Sequence, residues 1–450
     1  MHPARIYTQS YERWFGAMAP AMQGDVNCVF EFAGHVDDAR LRRAFLTALA
    51  AEPIWSYRFV THWWMPYWQV IPREDRPHLV STVLCANDQE RNAAWARLLA
   101  APVDAAARVV IFRTPTSDRV CFRIDHRLSD ANGAQPLLRS VADNYRTQAE
   151  PPLRDARLVR RTAKLLRRWA SVRDRFALLR EAGDDARRAP LTPGFTPRLP
   201  TADDPHGSPH LLHYADGATE ALAGQAMRDR ATPTMVIMGV TYLALRDIVV
   251  FADGCAWPMT LPVNLRRYLP LREQVAPASL LVGSASIWID PHQAVNLQAV
   301  LAQIRAQLAA QRGRHFGLSN SPVVLDLPLL RHYIFWRPFK WMQQEARAKH
   351  NVGTTTPMVF VSDLGEYGKP GETWAGVPIT NGYCSQGTWK HSAIMIGVSS
   401  CGSRLTIAVG SGPESFVRQF AERIDFYLSH YAGLTPLGAP AEPKESTIWM

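Results

Sequence analysis

The sequence predicts a mixed α/β protein, strands and helices in layers, built as two units in succession. Two observations carry this expectation. Apolar residues recur with period 2 in some stretches and with helical spacing in others, and the two kinds of stretch alternate in both halves of the 450-residue chain. Between the halves, "PLTPGFTPRLPTADDPHGSP" (190–209) is rich in Pro, Gly and Asp and reads as a linker or crossover. Residues 1–185 and 210–450 are therefore expected to form the two units, with 186–209 between them. A chain of this length suits two or three domain-sized bodies.

The first unit opens on "VNCVFEFA" (26–33), which alternates as a strand does. Asp37 and Asp38 then start a helix that keeps Leu41, Phe45, Ala48 and Leu49 on one face. A second helix is expected over 88–100, with Trp95, Leu98 and Leu99 as its apolar side. Strands over 107–113 and 119–126 flank the turn "TPTSD" and form a hairpin. A helix follows from Ala134 to Tyr145. Residues 153–182 are basic, with Leu158, Leu165, Trp169, Val172, Phe176 and Leu179 at helical spacing. A nucleic-acid or membrane-surface helix would fit that pattern. An amphipathic helix packed on the protein fits better, because the arginines are not interleaved with stacking aromatics.

The second unit starts near His210. A helix covers "TPTMVIMGVTYLALRDIVV", with Pro233 in its first turn. Strands "WPMTLPVNL" and "SASIWID" come next, then a helix over 294–312 with Leu297, Val300, Leu301, Ile304 and Leu308 on one face. The strand "PMVFVSDLG" precedes a hairpin, "SAIMIGVSSCGSRLTIAVG", and a final helix over 414–430.

Composition narrows the function classes. A 47% hydrophobic and 20% charged chain can bury a large core. No apolar run is long enough to span a membrane, and the amino terminus does not read as a signal peptide. The six cysteines are scattered with no CxxC pair, so neither a zinc site nor a disulfide framework is expected, and a reducing cytoplasm is the simplest compartment. The net charge of +10 suits an anionic partner: nucleic acid, an acidic carrier protein or coenzyme A phosphates, among which charge alone does not choose. With no stacking aromatics between the arginines of 153–182, nucleic acid is the least expected of these. There is no HExxH, no Walker loop, no GxGxxG opening a helix and no GxSxG elbow. No metal is expected.

The stretch "CFRIDHRLSDANGAQPLL" (121–138) holds the chemistry. Val120, Phe122, Ile124 and His126 share one strand face; Cys121, Arg123 and Asp125 share the other. His126 thus ends an apolar face. Such a histidine is either a satisfied core residue or a base at the mouth of a buried site. Asp130, four residues on, can bond the imidazole, pin the loop, or cap the next helix. His391 reads as structural or surface. The aromatic clusters "THWWMPYWQV" (61–70) and "RHYIFWRPFKWM" (331–342) suit either a channel or docking surface, or plain packing.

"DHRLSDANG" resembles the HHxxxDG signature of the condensation-domain and chloramphenicol acetyltransferase-like superfamily, which includes plant BAHD and polyketide-associated acyltransferases. The opening strand and helix, "TLPVNLR", and "FVSDLG" (Phe360 to Gly365) resemble further elements of that superfamily in the same order. The resemblance implies two chloramphenicol acetyltransferase-like subdomains arranged as a V, a central tunnel, and a crossover strand near 357–365. It implies that His126 is the general base and that Asp130 pairs with an arginine, here Arg266, to brace the loop. Ser362, Asp363, Gly365, Ala131 and Gly133 are the candidates for contacting substrate or oxyanion. The implied donor is an acyl-CoA or the phosphopantetheinyl thioester of an acyl or peptidyl carrier protein, used as co-substrate with no permanently bound cofactor. The implied acceptor is a small alcohol or amine, as in natural-product assembly. The chain departs from the signature at Asp125, where a histidine is usual, and at Ala131, where a glycine is usual. Those departures support the rival reading, a non-catalytic scaffold that kept the fold.

Overall fold

The computed structural model describes residues 3–9, 12–13, 15–16, 25–62, 65–147, 171–181 in part, 208–249, 256–269, 279–312, 315–318, 358–387, 393–410 and 413–437. The first half runs β1 (Arg5–Tyr7), β2 (Asp25–Phe32), α1 (Asp38–Ala51), β3 (Tyr57–Val60), β4 (Tyr67–Val70), β5 (Val80–Leu84), α2 (Asp88–Ala100), β6 (Ala107–Arg113), β7 (Asp118–Asp125) and α3 (Ala131–Thr147). The second runs β8 (His210–Tyr214), α4 (Ala218–Arg228), α5 (Pro233–Ile248), β9 (Trp257–Asn264), β10 (Val282–Ile289), α6 (Leu297–Gln311), β11 (Met358–Glu366), β12 (Thr373–Trp374), β13 (Val377–Gln386), β14 (Ala393–Cys401), β15 (Arg404–Gly410) and α7 (Glu414–Ala432).

Helix starts follow local chemistry. Asp37, Asn87, Thr232 and Asn296 each turn a side-chain oxygen onto a backbone N–H of the first turn of α1, α2, α5 and α6. Pro233 follows Thr232 at a position whose N–H needs no partner.

Two six-stranded mixed sheets hold most of the described strands, and β1, β4 and β3 form a small third sheet. The first has the order β12-β13-β2-β7-β6-β5. One of its faces buries Val26, Phe30, Phe122 and Ile124 against Leu41 and Phe45 of α1 and Leu137 and Val141 of α3. Its other face buries Val29, Cys121 and Tyr383 with Trp95 and Leu99 of α2. Each such fully buried Val, Leu or Phe contributes about 1.5–3 kcal/mol. The second sheet has the order β10-β9-β11-β14-β15-β8. It turns Met259, Ile287, Val359, Val361 and Ile396 toward α5, α6 and α7, whose Val236, Leu301 and Phe420 complete that core. The alternate residues of the same strands face the other way.

The outer strand of the second sheet, β10, is met by a helix. Gln307 of α6 accepts from the Trp288 N–H at 2.9 Å and donates to the Trp288 carbonyl at 2.7 Å. Gln303 does the same for Asp290, at 2.9 and 3.3 Å, and Gln311 donates to the Ser286 carbonyl at 2.7 Å. Four helical residues rise about 6 Å and two strand residues about 6.7 Å, so the two repeats run in step.

Several expectations need correction. The strand expected to cross between the units, 357–365, stays in the second sheet, parallel to β14 and β9. The crossing falls later: β13 pairs antiparallel with β2, from Ile379↔Phe32 to Gln386↔Val26. Residues 373–386 therefore complete the first sheet, and the sheets do not divide at the linker. Asn381 and Gly382 interrupt the alternation of β13, which hid it as a strand. Helix α3 starts at Ala131, earlier than Ala134, because Asp130 Oδ1 accepts the Gly133 N–H at 2.7 Å and so caps it. Strands β1, β3, β5, β8 and β12 and helix α4 were not expected as elements. Most of 153–182, the linker up to residue 207, the stretch 331–342 and His391 lie outside the described residues. No helix among the described residues is long and apolar enough to cross a membrane.

Candidate active site

β7 lies inside the first sheet with every residue buried. Val120, Phe122 and Ile124 enter the α1/α3 core, and Cys121 enters the α2 side. This is the alternation read from the sequence, and it leaves His126, just beyond the strand, on the α1/α3 side. The chain turns there, with the Leu128 and Ser129 N–H groups donating to the Asp125 carbonyl at 3.0 and 3.2 Å.

His126 Nδ1 lies 3.0 Å from the Ser129 carbonyl oxygen. A carbonyl only accepts, so Nδ1 carries the proton and Nε2 of the neutral ring keeps its lone pair. The Phe15 ring packs on the imidazole, centroids 4.9 Å apart. Burial lowers the His126 pKa below its ordinary 6.5; the nearby Asp130 charge and the Ser129 hydrogen bond oppose that shift.

Asp130 holds the loop from behind. Its carboxylate meets Arg266 Nη1 at 2.9 Å and accepts the N–H groups of Gly133 and Leu281, at 2.7 and 2.8 Å. Arg266 also donates to the carbonyl of Ser279 at 2.6 Å. Both side chains are nearly buried, at 11% and 6% exposure. The brace joins the start of α3 to the turn after β9, so it ties the two halves of the chain together. Gly133, a candidate for substrate contact, lies within this brace instead. A Cβ there would meet Ser129 Oγ at 2.2 Å, Arg266 Nη2 at 2.7 Å and the Ser279 carbonyl at 2.7 Å. The glycine is needed at 133, and Ala131, buried at the helix start, lines the cavity.

Asp125 faces away from that side. Its carboxylate forms an ion pair with Arg127 at 2.6 Å, and the Arg127 guanidinium lies 4.2 Å from the Phe59 ring centre. Phe59 in turn sits against Gly16, where a Cβ would come within 2.8 Å of the ring. The N-terminal segment 15–16, β3 and the Asp125–Arg127 pair thus support the His126 turn from one side.

A cavity of about 470 Å³ opens in front of His126, within the range of small-molecule sites. The first half contributes Phe15, Val26, His126, Asp130, Ala131 and Asn132. The second sheet contributes its non-core face: Pro262, Asn264, Ser284, Phe360, Ser362 and Met395. Asp363 and Gly365 lie at a bulge in β11, where Asp363 Oδ1 accepts the Gly365 N–H at 3.1 Å. Gly365 has φ of +90°, a conformation that favours glycine. His126, Asp130, Ala131, Ser362, Asp363 and Gly365 therefore meet at one cavity, and Arg266 stands behind it. Gln386, Ser284 and Phe15 also line it and were not singled out in the sequence. Ser284 was legible as an outward position of "VGSASIWI"; Gln386 lies on a strand formed only by long-range pairing.

No protein-family model matches the chain, and no curated protein matches it. Solved structures do. A trichothecene 15-O-acetyltransferase from Fusarium sporotrichioides superposes with a TM-score of 0.72 at 10% identity, covering 95% of this chain and 96% of its own. The first condensation domain of the CDA synthetase gives 0.61 at 16%, covering 94% and 97%. Polyketide synthase associated protein 5 from Mycobacterium tuberculosis gives 0.59 at 15%, covering 96% and 99%. The chain has the condensation-domain, chloramphenicol acetyltransferase-like fold over nearly its whole length.

Proposed function

We propose that the protein is an acyltransferase that moves an acyl group from a thioester, on coenzyme A or on a carrier-protein phosphopantetheine, to a small alcohol or amine in natural-product assembly. The observation that carries this is the state of His126: Nδ1 is committed to a carbonyl, Nε2 is left basic, and the ring lines a mostly apolar cavity. In the reaction Nε2 takes the proton of the acceptor O–H or N–H as that atom attacks the thioester carbonyl. The new C–O or C–N bond gives a tetrahedral oxyanion, for which Ser362 and backbone N–H groups are the candidate donors. Collapse breaks the C–S bond, and the imidazolium returns its proton to the departing sulfur.

The departure at Asp125 does not argue against this reading, because its carboxylate is engaged with Arg127 on the other side of the strand end. The Ala131 methyl group at the cavity is the observation that favours a scaffold without chemistry. An assay of free thiol release separates the two. Wild type is mixed with acyl-CoA thioesters of graded length and with alcohol and amine acceptors. Acceptor-dependent thiol release that His126→Ala loses supports transfer; thioester binding without release from any pair supports the scaffold.

A further inference from the structure

Gln386 ends β13 on the same side of the first sheet as His126. The register places Gln386 opposite Val26, and Val26 opposite Ile124, so the three stand in a row on one face. His126 follows Ile124 by two residues, one step further along that face. Gln386 is thus two strands across from the histidine's strand, roughly 10 Å at the backbone, and both side chains line the same cavity.

The Gln386 side chain does no structural work that the described residues show. Its Oε1 is shielded from solvent and has no hydrogen-bond partner among them. Its backbone carbonyl, by contrast, accepts from Ser385 Oγ at 3.3 Å. A buried amide oxygen without a partner is costly, and native proteins keep few of them. Such a group is retained at little net cost where a ligand completes it. Its register partner Val26 is apolar and lines the same cavity, as do Phe360 and Met395 of the second half.

We propose that Gln386 selects the acceptor: its carboxamide hydrogen-bonds a second polar group on an otherwise apolar alcohol or amine whose nucleophile sits at His126. This rests on the acyl-transfer reading and adds the substrate class, a difunctional acceptor with its two polar groups on either side of an apolar body. A carboxamide both donates and accepts, so a hydroxyl group suits it in either orientation.

The test uses two acceptors that differ by one hydroxyl, tyramine and 2-phenylethylamine, and reads binding by calorimetry on the full chain. Measurements are made in the His126→Ala background, so that turnover plays no part. The Gln386 side chain should favour tyramine by about tenfold, the worth of one good hydrogen bond. Gln386→Met should abolish that preference while keeping the affinity for 2-phenylethylamine. The same substitution should melt at or above the parent temperature, because the carboxamide has no partner to lose. Equal discrimination in the two proteins, including no binding of either amine, overturns the proposal. So does a clear loss of melting temperature in Gln386→Met, which would make the residue a packing element. Failure of the acyl-transfer reading is seen separately, as no thiol release from any donor–acceptor pair or as release that His126→Ala leaves unchanged.

Discussion

The two sheets meet the cavity in different ways. The first sheet is covered on both faces around β7, and it carries charge inside: Asp25 and Arg123 pair at 2.5 Å on adjacent strands, 0% and 1% exposed. Asp125 and Arg127 pair just beyond. The second sheet packs one face on α5, α6 and α7 and gives the other to the cavity. The difference separates two tasks. A titrating group needs a support that does not yield, because a shift of a fraction of an ångström spoils its geometry. A cavity needs side chains with no duty on that side, and a sheet packed on one face supplies them at every second residue. The first sheet holds His126; the second makes room.

The largest effect should come from removing the group that the first sheet presents. His126→Ala should lower turnover by about 100- to 10,000-fold, the usual worth of a positioned base. That is measured as kcat on a folded variant; near-wild-type turnover would move the base elsewhere and erase the division of tasks.

Next comes the tie between the halves. Asp130→Ala should destabilise the protein by about 3–5 kcal/mol, because it leaves the Arg266 charge buried without its partner. Denaturant unfolding reads this directly. Asp130→Asn should cost less, since its single amide oxygen still accepts one of the two N–H groups, Gly133 or Leu281, that the carboxylate takes on separate oxygens. Unchanged stability in Asp130→Ala would mean that the β2–β13 pairing and packing hold the halves without this ion pair.

Gly133→Ala should cost about 1–3 kcal/mol by overpacking. The added methyl meets Arg266 and Ser279 from the second half as well as Ser129 from the first. Stability equal to wild type would show that the brace has slack.

The smallest effect is a shift in a pH profile. Burial lowers the His126 pKa, so Nε2 stays unprotonated in more acid solution than an exposed imidazole would, and the acid limb of kcat/KM should fall below pH 6.5. The same shift bears on stability. The unfolded imidazole takes up a proton near pH 6.5 that the folded one refuses, so this contribution is intact above 6.5 and is lost as pH falls through the folded value. An acid limb above 6.5 would mean that the Asp130 charge outweighs burial.

Much of this comparison was legible in the residues. The alternation from Val120 to His126 set the histidine's side, and it is local information. The Asp130–Arg266 pair came from a resemblance, since the two are 136 positions apart in sequence. The capping role of Asp130 was visible as residue type, and in the structure one carboxylate both caps α3 and meets Arg266. What stayed hidden was long-range. β13 carries Asn381 and Gly382 in its middle and has no apolar run to mark it; only pairing with β2 makes it a strand. Gln386 was hidden with it. The stop of the crossover at β13 instead of β11 has the same cause: "VFVSDL" alternates cleanly, and alternation says that a strand exists without saying which sheet receives it.

The glutamine row on α6 has a consequence for how the protein meets its own copies. An outer strand ordinarily offers spare N–H and C=O groups to any extended chain that drifts past. Along Ser286, Trp288 and Asp290 five of those six groups are already taken by three amides. A newcomer would have to strip five hydrogen bonds before making its own. The sheet stops growing there because a helix imitates the next strand, and the molecule can expose Trp288 at its margin without inviting a neighbour to join in register.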